Sequence, residues 1–308
     1  RGAAARQVQA LPGKMRTAMA CGLPHARHVR LANAMADSGM QTDTTYIPDV
    51  DEQTAAFYRH AMLALRRAGV PFMVGGAFAL RQYTGITRNT KDFDIFVRPD
   101  DRDRTLEVLS QHGCQTSITF EHWLGKAYCG DDFVDVIYRS GNGVSEVDDG
   151  WFARATEVEI FGVPVLLCPP EETIWSKAFI QERERYDGAD IALILRVTAS
   201  TLDWPRLLDR FGPHWRVLYA HLVLFGFIYP PERDRIPAWV VEELTQRLLD
   251  ESRAPPPATP VCNGTLLSRM QYVEDIESWG YVDSRLLPRG TMTMDEAERW
   301  TVAGIREH

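Results

Sequence analysis

The 308-residue chain contains no run of about 18 consecutive apolar residues, and the nearest candidate, Val217–Tyr229, is interrupted by His221 and too short to span a bilayer. No membrane-spanning helix is expected. Cysteine is sparse: Cys21, Cys114, Cys129, Cys168 and Cys262 are odd in number, scattered, and outside any C-x-x-C or Cys/His ligand spacing. That excludes a disulfide framework and a zinc site, and a cytoplasmic setting is expected. An excess of basic residues is also missing, since 34 Lys and Arg face 42 Asp and Glu for a net charge of −8. A wide, sequence-independent grip on nucleic-acid phosphates is thereby excluded. No internal repeat at a fixed period is present, which argues against a solenoid. What remains is an ordinary globular composition, 45% apolar, 25% charged and 10% aromatic, with enough length for one large domain or two smaller ones.

Residues 1–45 are read as a poorly ordered tail. Arg1 to about Gly39 is rich in Ala, Arg and small residues, and Met15, Met19, Met35 and Met40 are each possible starts within an over-extended reading frame. From Asp51, an acidic start followed by apolar residues at helical spacing predicts a helix ending at Ala68-Gly69. A short buried strand over 70–74 and a helix over 77–83 follow, then a strand over 91–98 and an amphipathic helix over 101–112. Two hairpins are expected, 126–129 with 133–138 and 156–160 with 163–167. After Pro169-Pro170 the strand signals stop, and helices are predicted over 171–183, 186–197, 204–211, 214–227 and 238–252. The divisions are therefore 46–200 as an α+β domain, 201–253 as a helical region, 254–260 as a stiff Pro-rich linker and 261–308 as a C-terminal segment.

Chemistry concentrates at Lys91-Asp92-Phe93-Asp94-Ile95-Phe96-Val97. On a strand, Asp92 and Asp94 share one face while Phe93, Ile95 and Val97 face the core. Two carboxylates roughly 7 Å apart on one face repel, and a hard divalent cation would relieve them. An isolated Asp-x-Asp is usually a solvated pair, and an isolated Gly-Gly is usually a turn. Here, however, Gly75-Gly76 ends a strand and opens a helix, where glycine lets phosphate approach backbone N–H groups. A third carboxylate, Asp135 in Phe133-Val134-Asp135-Val136-Ile137, lies on an apolar strand where a lone charge needs a partner. A cation shared with Asp92 and Asp94 is the expected partner. The histidines have no metal spacing, and His60, His112, His122, His214 and His221 are read as structural. Trp123, Tyr128 and Tyr138 are read as core aromatics, with stacking on a base as the other possibility.

This order of elements resembles the nucleotidyltransferase superfamily, the DNA polymerase beta-like fold. Its pattern is an apolar strand, Gly-Gly or Gly-Ser, a helix, Asp-x-Asp on a second strand and a third Asp on a later one. The run from Gly75 through Thr87-Arg88-Asn89-Thr90-Lys91-Asp92-Phe93-Asp94 resembles the prokaryotic minimal and abortive-infection toxin-like branch. The similarity spans about Pro71 to Leu195. It implies a small mixed sheet flanked by helices, followed by a helical C-terminal region. It also implies Asp92, Asp94 and Asp135 as catalytic and metal-binding residues for Mg²⁺ or Mn²⁺, and Gly75, Gly76, Arg88, Lys91 and Lys177 as nucleotide-binding residues. Asp187 and Asp190, i, i+3 at a helix start, are expected to face inward beside that site. Of Arg81 and Arg88, Arg88 is the stronger phosphate contact, because its loop leads directly to Asp92.

The implied activity is metal-dependent transfer of an NMP from an NTP to an acceptor, with release of pyrophosphate. The acceptor is left open among tRNA, protein and a small molecule. The alternative is a catalytically inactive binding or antitoxin-like interaction module of the same fold.

Overall fold

The computed structural model describes residues 50–87 and 92–306. The segment read as a tail, residues 1–45, together with Arg88 and Lys91, lies outside them. Asp51 caps the first helix, α1 (Glu52–Arg67), by accepting from the Thr54 backbone N–H at 2.9 Å. The chain then forms β1 (Met73–Val74), α2 (Gly76–Thr84), β2 (Asp92–Phe96) and α3 (Arg102–Gln111). Next come three antiparallel strands in succession, β3 (Gln115–Phe120), β4 (Leu124–Cys129) and β5 (Asp132–Ile137). Then follow α4 (Asp149–Arg154) and the hairpin β6 (Thr156–Ile160) and β7 (Val163–Leu167).

Seven strands make one mixed sheet in the order β3-β4-β5-β2-β1-β7-β6. β2 runs parallel to β5 and β1 parallel to β7, and the remaining pairs are antiparallel. Pleating sends Phe93 and Ile95 of β2 to one side, where Tyr58 of α1 stacks on Phe93 at 4.5 Å within a core that also takes in Leu106 and Leu109 of α3. Asp92, Asp94 and Phe96 emerge on the other side, and Phe96 stacks on Trp151 at 5.6 Å. The face that carries the acids is therefore fixed by burial of its alternate residues on the opposite face.

The second half is helical: α5 (Pro170–Ala178), α6 (Gly188–Thr198), α7 (Trp204–Phe211), α8 (Trp215–Ile228) and α9 (Ala238–Arg253). One continuous apolar cluster joins Met73 and Leu80 to Leu207, Leu218, Leu244 and Leu266, so this region shares a core with the sheet. Buried Glu172 ties α5 to α7, accepting from Arg206 and Arg210, and Arg210 also pairs with Asp148 at the start of α4. The C-terminal segment contains β8 (Val261–Cys262), α10 (Val273–Glu277), β9 (Val282–Asp283) and α11 (Met294–Arg306), with β8 and β9 paired in parallel.

The elements not anticipated include β3, α4 and, within the C-terminal segment, β8, α10, β9 and α11. β3 is a mostly exposed edge strand whose Gln-Thr-Ser sequence lacks the apolar alternation of a half-buried strand. α4 is a six-residue helix, too short for periodicity to register. α11 starts at a reciprocal cap in which the Thr293 N–H donates to Glu296 and the Glu296 N–H donates to Thr293 Oγ1, a Thr-x-x-Glu signal present in the sequence.

Candidate active site

Where β1 ends, the Gly75 N–H donates to the Asp94 carbonyl at 3.0 Å, holding the strand end against β2. Gly76 then opens α2 with φ +55°, a left-handed conformation that favours glycine. A Cβ on Gly76 would sit 1.7 Å from Asp94 Oδ2, and one on Gly75 would sit 2.2 Å from the Phe96 ring. Glycine at both positions is thus a steric requirement of bringing this backbone against the Asp94 carboxylate. No side chain caps the N-terminus of α2.

Asp94 and Asp135 are directly opposite one another in the parallel β2–β5 ladder, and Asp92 lies two residues before Asp94 on the same strand face. Asp92, Asp94, Asp135, Gly75, Gly76 and Lys177 all line one cleft of about 1120 Å³. Burial, reinforced by the negative charges of Asp135 and Asp92, pushes the Asp94 carboxyl up to about 7, with Lys177 and Arg185 pulling it back.

The expected partner for Asp135 was a shared cation, and the partner observed is a lysine. Lys126 of β4, opposite Asp135 in the β4–β5 register, places its Nζ 2.7 Å from Asp135 Oδ1 and 4.1 Å from the Phe133 ring centroid. Burial still raises the Asp135 carboxyl, with Lys126 opposing. Among the described residues, no three His, Cys, Asp or Glu side chains stand close enough together to hold a metal ion. The donor set nevertheless fits a hard divalent cation at Asp92 and Asp94: it is all oxygen, and Asp94 carries the like-charge strain that such a cation relieves. Asp135 is set apart from that pair by its own ammonium partner.

Lys177 differs from a side chain reaching freely toward phosphate. It is largely buried, and its Nζ donates to Asp187 at 2.8 Å and Asp190 at 3.0 Å, both at the start of α6. Asp187 also accepts from Arg185 at 3.2 Å. Against the upward pull of burial, the Lys177 ammonium and the Arg185 guanidinium hold the Asp187 carboxyl below its ordinary value. The inward-facing acids expected at 187 and 190 are thus present, with their charge spent on Lys177. Arg185 is the more exposed cation of this group, and the charges of Asp94 and Asp92 reach it.

One wall of the cleft comes from the C-terminal segment, which carried no usable chemical signal in the sequence. Asn142 donates to the Leu266 carbonyl at 2.8 Å, the Gln181 N–H donates to the Leu267 carbonyl at 3.1 Å, and Glu182 accepts from both Ser268 Oγ and the Arg269 N–H. Trp300 of α11 packs edge-on against Phe120 at 5.0 Å and Trp123 at 5.2 Å, with the Arg269 guanidinium 4.5 Å over its ring. Trp123 is therefore part of an aromatic wall of the cleft. Tyr138 is a core residue bonded to the Phe120 carbonyl, and Tyr128 lies against Phe133 outside the cleft. Three of the five histidines read as structural bond a backbone carbonyl: His112 that of Val108, His122 that of Gly141 and His221 that of Ala178.

No family model matches the sequence, and no curated protein matches it. Solved structures with a similar chain path include the antibiotic-resistance factor ANT(2'')-Ia, 17% identical over 58% of this chain and 99% of that one, with a TM-score of 0.41. A nucleotidyltransferase-like antigen from Paracoccidioides brasiliensis is 16% identical over 60% of this chain and 93% of that one, with a TM-score of 0.39. The lincosamide antibiotic adenylyltransferase LnuA is 14% identical over 49% of this chain and 99% of that one, with a TM-score of 0.36. At TM-scores below 0.5, such likenesses bear on neither substrate nor mechanism.

Proposed function

We propose that this cleft transfers a nucleotidyl group from an NTP to an acceptor hydroxyl, as the nucleotidyltransferase resemblance implies. The observation that carries the reading is the contact of Gly76 with Asp94: a glycine-opened helix start is pressed onto one of three carboxylates that face a single cleft. Asp92 and Asp94 are the residues that would hold Mg²⁺ or Mn²⁺, which when bound offsets triphosphate charge. The uncapped N–H groups of α2 bind phosphate oxygens. Lys177 has donated two of its three N–H groups to Asp187 and Asp190 and offers the third to phosphate. Arg185 adds an exposed guanidinium fork beside Asp187, and Arg88 and Lys91, outside the described residues, belong to the same proposed phosphate-binding group.

Asp135 acts as the base. Its raised carboxyl accepts the acceptor's proton, and Lys126 orients it and stabilises its charged form. The acceptor oxygen then bonds to the α-phosphorus while the bond to pyrophosphate breaks. The wall formed by Leu266, Arg269 and Trp300 shapes the acceptor side.

The second reading, a nucleotide-binding or antitoxin-like interaction module without transfer activity, draws on the Lys126–Asp135 pair, which removes Asp135 from any three-carboxylate cation site. Incubation with each α-labelled NTP, Mg²⁺ or Mn²⁺, and total RNA, protein extract or small-molecule hydroxyl acceptors distinguishes the two. Label transfer that disappears in Asp94→Asn supports the enzyme. NTP binding without transfer to any acceptor supports the module.

A further inference from the structure

The face of β4 opposite Lys126 and Tyr128 carries a feature unrelated to the cleft. In the β3–β4 ladder Gln115 pairs with Tyr128 and Thr116 with Ala127, so the next position outward sets Cys114 directly opposite Cys129. The Cys114 N–H is committed to the Leu109 carbonyl at 3.1 Å and donates nothing to β4. The pair is therefore of the non-hydrogen-bonded kind, in which opposed Cα atoms approach to about 4.5 Å and side chains come closest. That separation lies within the range a disulfide spans. Both thiols are free, Cys114 buried and Cys129 exposed, and each senses the other electrostatically. Among the described cysteines, Cys168, between β7 and α5, and Cys262, on β8, are buried and lie elsewhere in the chain.

We propose that Cys114 and Cys129 are a redox modification site that closes a reversible intramolecular disulfide by exchange with a low-molecular-weight disulfide such as oxidised glutathione. The exposed Cys129 thiolate attacks first: a Cys129–glutathione S–S bond forms, the glutathione S–S bond breaks, and one glutathione thiolate leaves. Cys114 then loses its proton to solvent and attacks the Cys129 sulfur, and the second glutathione leaves. Two protein thiols are oxidised, one glutathione disulfide is reduced to two thiols, and the released protons reside on those thiols. Burial pushes the Cys114 thiol up, so Cys114 is the resolving partner rather than the first nucleophile. The bridge ties the start of the edge strand β3 to the end of β4, the strand that carries Lys126.

The test uses the full native chain, equilibrated with oxidised glutathione, quenched in acid, alkylated and digested. The expected product is a cross-linked peptide pair joining Cys114 and Cys129, reversed by reduced glutathione and accompanied by a rise in melting midpoint. In Cys114→Ser, Cys129 should accumulate as a stable glutathione adduct, and in Cys129→Ser, Cys114 should stay unmodified. A wild-type protein in which Cys129 carries glutathione without cross-linking, pairs with a different cysteine, or does not react overturns the proposal. That readout needs no variant to fold.

Discussion

Asp94 and Asp135 are opposed in register on parallel strands, and among the described residues it is Asp135 that has a lysine at ion-pair distance, 2.7 Å away. Two carboxylates of one cleft therefore hold their charge by different means. Asp135 is matched from within the chain, whereas Asp94 is left with a carboxyl pushed up to about 7.

The first prediction is the pH dependence of stability. Because the folded value of Asp94 is raised from an ordinary 3.8 to about 7, the native state binds the extra proton between those values, and the contribution of Asp94 to stability is lost as pH rises through that window. Asp94→Asn removes this dependence. The variant should match wild type near pH 4 and exceed it by about 1–3 kcal/mol at pH 8, while losing nucleotidyl transfer. Urea denaturation of both proteins across pH 4–8 checks this, and parallel curves would refute the assignment. Mg²⁺ at pH 8 should raise the wild-type midpoint and leave the variant's unchanged.

Lys126→Met should destabilise the fold by about 3–5 kcal/mol, because Asp135 is then a buried charge without a partner. Adding Asp135→Asn should restore most of that loss without restoring transfer. Equilibrium denaturation of the two single variants and the double variant measures the coupling, and additive effects would mean that the pair contributes nothing.

Lys177 should matter to folding as well as to nucleotide affinity. Lys177→Ala removes the ammonium that the carboxylates of Asp187 and Asp190 share, at a cost of about 3 kcal/mol. Lys177→Arg should recover part of the stability but bind a non-hydrolysable NTP more weakly than wild type, because a planar fork replaces a compact ammonium. Calorimetric titration alongside denaturation separates the two effects.

Gly76→Ala combines a left-handed backbone with a collision against Asp94 Oδ2 and should cost more than about 1 kcal/mol. In an Asp94→Ala background the collision is gone and only the backbone term remains, so the same substitution should cost less. An equal cost in both backgrounds would place the strain in the backbone alone.

The chain order, the inward acids and the glycine pair were legible because strand alternation and turn chemistry are local properties. The hairpin 156–160 with 163–167 and the helix 204–211 stand as the pattern predicts. Lys126 was not legible, since the expected strands 126–129 and 133–138 leave a three-residue turn, whereas the two-residue turn Gly130-Asp131 sets the β4–β5 register that puts Lys126 opposite Asp135. Burial of Lys177 was missed for a related reason: on α5 alone it reads as a surface lysine, and only the approach of α6 encloses it. The wall from Leu266 to Trp300 joins residues more than a hundred positions from the carboxylates, and it rests on backbone carbonyl and N–H groups whose side chains are unremarkable in sequence.

The ion pairs of the cleft also govern how the protein meets amine-directed chemistry. Among 34 basic residues only Lys14, Lys91, Lys126 and Lys177 are lysines, and of these only Lys126 and Lys177 fall among the described residues. Both have their ammonium groups against carboxylates and are mostly covered. The described fold therefore offers acylating reagents, lysine cross-linkers and lysine-conjugating enzymes no amine outside an ion pair. Acylation at either residue becomes a clock for the opening of the cleft, slow while the pairs hold and fast once they part.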